Sequence, residues 1–118
     1  MTIAAPDLNH VYFMLVKTTT NWLQIPTHQR FEFVTKIVAP IIAKYPAVKM
    51  RYFDSEAFSG RYTDVIMWET ASVRDYQSLV EQLRETLFWG TYFEIVEIVP
   101  AIENAYAIFN KVDPVNSP

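Results

Sequence analysis

Two stretches constrain this chain more than any others: HVYFMLVKTT at residues 10–19 and YFEIVEIVP at 92–100. Each is short, rich in β-branched and aromatic residues, and bounded by polar or proline-bearing segments, which is how a strand reads. Successive side chains of a strand point to opposite faces, so a sheet with one wet side is apolar only at alternate positions. Here Val11, Phe13 and Leu15 lie on one side and Tyr12, Met14 and Val16 on the other. Phe93, Ile95 and Val99 similarly oppose Val96 and Ile98. Both faces of the sheet therefore need cover.

Helices supply one cover. Between Thr27 and Tyr45, Phe31, Val34, Ile37, Val38, Ile41, Ile42 and Tyr45 recur at spacings of three and four, giving one wide apolar stripe. Pro40 interrupts that pattern; it removes a backbone donor and crowds the turn before it, predicting a kink or a short second segment near Ala39. SVRDYQSLVEQLRETLFWG (72–90) reads as the second helix, with Ser72 as N-cap, Asp75 three residues on and Gly90 as the stop. Its expected buried stripe is Tyr76, Leu79, Val80, Leu83 and Leu87. TTTNWLQIP (18–26) reads as a loop. VKMRYFDSEAF (48–58) and TDVIMWET (63–70) read as an antiparallel hairpin joined by SGRY, where Gly60 is free to take positive φ. AIENAYAIF (101–109) either prolongs the last strand or forms a short turn.

The order β-α-β-β-α-β predicts a ferredoxin-like α+β fold: a four-stranded antiparallel sheet with two helices on one face. One domain is expected over residues 1–110, followed by a flexible C-terminal tail at 111–118. A 51% hydrophobic content is high for a chain of 118 residues, whose surface-to-volume ratio leaves much apolar area outside. The economical cover for the second sheet face is the sheet of a second copy, packed about a two-fold axis as a dimeric α/β barrel. A helix from the tail is the competing cover.

Several function classes drop out. The net charge is -3 with both signs scattered, so no basic stripe invites nucleic acid or an acidic membrane surface. Without cysteines there is no disulfide, thiolate nucleophile or thiolate metal site. The first residues lack a basic region followed by a long apolar run, and no run approaches the roughly 20 residues of a membrane span, so the expected address is cytoplasmic. No glycine-rich phosphate loop or nucleophile elbow is present.

RYFDSEAFSGRYTDVIMWET (51–70), LRETLFWGTYFEIVEIVP (83–100) and IENAYA (102–107), in that order and spacing, resemble the darcynin family of small bacterial proteins without an assigned activity. The resemblance runs from the first strand through Tyr106. More broadly, the element order is similar to the dimeric α/β-barrel group, which includes cofactor-free monooxygenases, muconolactone isomerase-like proteins and haem-dependent members. That likeness implies the fold and a homodimer; it implies no reaction, because one fold hosts many chemistries.

Site candidates follow from alternation. Arg51 and Glu69 belong on the face away from the helices, either as an ion pair setting register or as polar anchors for a ligand. Tyr12, Tyr52, Trp68 and Trp89 are the aromatic candidates to wall a pocket for a small apolar or aromatic molecule; ordinary core or interface packing is the plainer reading. Asp54, Glu56, Arg61 and Asp64 read as charges meeting water at the hairpin end, and their spacing matches no cation-binding loop, so no metal site is expected. His10 and His28 are too far apart for a zinc pair. His10 is a ligand-binding candidate, with an axial haem role and a hydrogen-bonded surface imidazole as alternatives. No cofactor is predicted. The favoured function is small-molecule binding in a cavity of the homodimer, with isomerase-like or cofactor-free monooxygenase-like chemistry open; the alternative is a non-catalytic structural or interaction dimer.

Overall fold

The structure is a computed structural model and describes residues 7–117. The start of the expected domain, the reading of the first six residues as no secretion signal, and the last tail residue lie outside them. The elements run β1 (His10–Thr18), α1 (Thr20–Gln24), α2 (Thr27–Phe33), a π turn (Val34–Val38), α3 (Ala39–Ala43), β2 (Lys49–Asp54), β3 (Asp64–Thr70), α4 (Val73–Arg84), β4 (Phe93–Ile102) and α5 (Ala105–Asn110). The strands form one sheet in the order β2-β3-β1-β4, every neighbouring pair antiparallel. This is the expected ferredoxin-like α+β fold.

Met14 and Val16 of β1 and Ile66 and Trp68 of β3 turn toward the helices and meet Leu79 and Leu83 of α4, Val38 and Ile41. Tyr12 stacks flat on Tyr76 of α4, ring centres 3.6 Å apart. Ser72 caps α4 as its sequence suggests: its Oγ accepts from the Asp75 amide at 3.2 Å. Pro40 acts where predicted. The Ala39 amide reaches back five residues to the Val34 carbonyl, and the helix restarts with Pro40 in its first turn. A missing amide costs least there, because first-turn amides have no partner within the helix.

Several expectations fail locally. Residues 20–24 are helical rather than loop, because the Thr19 hydroxyl accepts from the Trp22 amide at 3.3 Å and caps a turn. β2 stops at Asp54, which faces Asp64 across the ladder, and like charges set opposite oppose further pairing. Gly60 does not adopt positive φ, whereas Gly90 does, at 89°. Gly90 is not the helix stop, however. α4 ends at Arg84, and residues 85–92 turn so that Phe88 enters the core while Leu87 stays exposed. A bulge in β4 inserts Val96, so Phe93, Ile95 and Ile98 all face inward and Glu97 and Val99 outward. Val99 thus sits on the opposite face to the one strict alternation gave it. Residues 101–109 prolong β4 to Ile102 and turn at Glu103 and Asn104, as the two readings allow, but then form α5, a helix in neither of them.

Candidate functional site

The two faces of the sheet place the site residues. Register puts Val11, Phe13, Leu15, Arg51, Phe53, Val65, Met67, Glu69 and Val99 on the face away from α4. None of these joins the main core cluster; Val11 is buried apart from it, while Phe13, Phe53 and Val99 are exposed. Arg51 and Glu69 lie there as expected, but not as a pair. Arg51 sits opposite Met67, with its guanidinium 5.1 Å from the Phe53 ring centre. Glu69 sits opposite Lys49 and accepts from the Asn9 amide at 3.2 Å.

The aromatic candidates belong to the other face, so no single chamber holds both groups. Tyr52 and Trp68 line a cavity of about 480 Å³ on the helix side. It opens because α4 covers β3 and β1 while β2 is left bare, with none of its six residues buried. Trp22 of α1, Phe31 and Phe33 of α2, and Phe88 and Phe93 complete an aromatic wall. Tyr12 and Trp89 lie instead along a shallower groove beside α4, and His10 lies at a third surface hollow with Ile102 and Ala105. The missed wall residues had one readable signal: the Thr19 cap, which turns TNWLQ into a helix presenting Trp22 inward.

Polar groups at the cavity are few and mostly engaged. Arg30 donates from Nε to the Trp22 and Ile25 carbonyls, each at 3.1 Å, and from Nη2 to Leu23 at 2.9 Å. Its charge therefore ties α1 to α2 and closes their connection. Trp68 is 1% exposed, and its Nε1 is the buried side-chain polar atom left without a partner among the described residues. Burial, then the neighbouring Asp64 carboxyl, holds the Tyr52 hydroxyl well above the usual phenol range.

Asp64 corrects the reading of the hairpin end as solvated charge: it is only 5% exposed. Burial pushes its carboxyl up, opposed by hydrogen bonds from Thr63 Oγ1, at 2.6 Å, and from Tyr52. Asp54 and Glu56 do remain exposed, and the three carboxylates converge within 4.8 Å of one another. Arg61 turns away to Glu97 at 3.9 Å. Neither His10 nor His28 is on the cavity wall, so neither histidine could supply an axial haem ligand there.

Comparison with known proteins agrees with this architecture. A family model described as darcynin, a domain of unknown function, matches residues 1–117. A darcynin homolog of Granulibacter bethesdensis is 51% identical over 96 residues, 80% of this chain and 77% of that protein. One from Streptomyces avermitilis is 42% identical over 104 residues, covering 87% and 86%. Among solved structures, chlorite dismutase of Candidatus Nitrospira defluvii in complex with imidazole superposes with a TM-score of 0.68 at 12% identity, covering 80% of this chain and 39% of that one. A dimeric chlorite dismutase of Nitrobacter winogradskyi gives 0.63 at 18%, covering 86% and 60%. The chain spans less than two thirds of either structure, and at such identities the likeness is one of fold. No helix among the described residues is long and apolar enough to cross a membrane.

Proposed function

Because the chain belongs to the darcynin family, whose domain has no assigned activity, we propose its function from the site: it binds a small apolar or aromatic molecule in the helix-side cavity, as a homodimer paired through the outer sheet face. The observation that carries the binding reading is an aromatic-walled space of about 480 Å³, within the range of small-molecule sites. Wall chemistry favours binding over catalysis. Arg30 is spent on backbone carbonyls, and Tyr52 is the one other titratable side chain on the wall. Any isomerase-like or oxygenase-like step would rest on Tyr52 and the Asp64 behind it. The pairing reading rests on the bare apolar face and on the dimeric state named for the Nitrobacter winogradskyi protein.

Met50 lines the cavity from the uncovered strand. Met50→Trp is expected to fill the space and weaken binding of a neutral bicyclic probe such as naphthalene at least tenfold, read by tryptophan fluorescence, with the melting temperature held. Native mass spectrometry of the purified protein checks for a retained ligand. No binding by the parent and no retained ligand would leave only the non-catalytic dimer.

A further inference from the structure

The chain ends in a second uncovered apolar surface. α5 is six residues long and buries none of them; Tyr106 and Phe109 are 83% and 82% exposed, with Val112 exposed beyond. Tyr106 and Phe109, three residues apart, share one face of the helix, and Val112 follows its left-handed stop. A helix this short does not persist in water by propensity, since nucleation costs more than so few hydrogen bonds return. Yet its form is fully specified. Asn104 and Lys111, neither of them glycine, take positive φ at its two ends. At the C-terminus the Val112 amide donates to Ala107 and the Lys111 amide to Ile108, a complete Schellman stop.

The root is equally fixed. The Glu103 amide donates to the Asn9 carbonyl at 2.9 Å, and Asn9 Nδ2 donates to both Glu69 and Glu103, each at 3.2 Å. Asn9 thus clasps the sheet to the base of the arm, and this is where Glu69 is used.

We propose that α5 and residues 111–115 form an arm that docks on a second copy of this chain, completing an interface begun by the outer sheet face. The inference rests on the sheet-face dimer and adds the element it lacks. Four strands about 4.8 Å apart, averaging eight residues or about 26 Å, offer a footprint of roughly 500 Å², short of the ~800 Å² per partner of a stable interface. A reciprocal pair of arms supplies the rest under two-fold symmetry. The arm's charges are Lys111 and Asp113, which cancel, so it has no net field to select an acidic or basic foreign partner.

The test combines sedimentation with cross-linking. Tyr106→Ser with Phe109→Ser should raise the dimer dissociation constant at least 100-fold while circular dichroism of the body is unchanged. Because the chain has no cysteine, Phe109→Cys carrying a maleimide-benzophenone can be photolysed in an equilibrated mixture of ¹⁴N and ¹⁵N protein. Peptides joining the two labels support the arm on a partner. Cross-links confined to one label, or a dimer unmoved by the serine pair, overturn it and leave the sheet-face dimer standing. A parent that is monomeric at tens of micromolar instead removes the dimer itself.

Discussion

The two faces of one sheet carry similar residues and meet different fates. On the helix side, Met14, Ile66 and Trp68 are sealed by Leu79 and Leu83, and the cavity appears only where cover runs out over β2. On the outer side, Phe13, Phe53 and Val99 are as apolar but stay exposed, and no residue of that face joins the core cluster. The difference is one of connection. Both helical crossovers pass over the same side, as the split β-α-β topology requires, so the second side has no crossover helix over it.

That contrast can be broken from either side. Leu79→Ala, in the sealed face, is expected to cost about 2–5 kcal/mol by loss of transfer energy and creation of a cavity. It should do so equally in dilute and concentrated protein, measured by urea denaturation. A loss that vanished at high concentration would move Leu79 out of the monomer core. Phe13→Asp, on the bare face, should cost the isolated chain less than Leu79→Ala does, because Phe13 is already 37% exposed, but raise the dimer dissociation constant at least 100-fold, about 2.7 kcal/mol. Sedimentation of the variant across a dilution series reads this; an undisturbed dimer would place the interface elsewhere.

The smallest effect sharpens the boundary between the faces. The Asp64 carboxyl is raised by burial, so the folded state holds its proton to higher pH than the unfolded state does. Its contribution is favourable below the ordinary carboxylate pKa of about 3.9, and stability is lost as pH rises through the raised folded value. Asp64→Asn should therefore melt above the parent near pH 7 and level with it near pH 4. A variant that melts lower at neutral pH would show that the ionised carboxylate is compensated in the fold, for instance by a cation held with Asp54 and Glu56.

The site was less legible than the fold, for local reasons. Ser72, Pro40 and the apolar stripes act through neighbours three to five residues away, and a linear reading captures such effects. Trp22 was missed because a five-residue helix carries no periodic signal of its own and shows only through the Thr19 cap. Asp64 reads in the sequence as solvated charge because its burial comes from residues distant along the chain. Alternation puts Arg51 and Glu69 on the face away from the helices, yet their separate partners depend on register, which alternation alone does not give.

Sequence by itself determined the order of elements, the kink at Pro40, the antiparallel hairpin and the demand that both sheet faces be covered, because each follows from short-range sterics and side-chain period. Tertiary structure decided the rest: the bulge at Val96 that sends Val99 outward, the cavity beside β2, the convergence of three carboxylates and the clasp at Asn9. These turn on how far each element reaches over its neighbours. Coverage of that kind is a property of packed surfaces and is encoded in no single stretch of the chain.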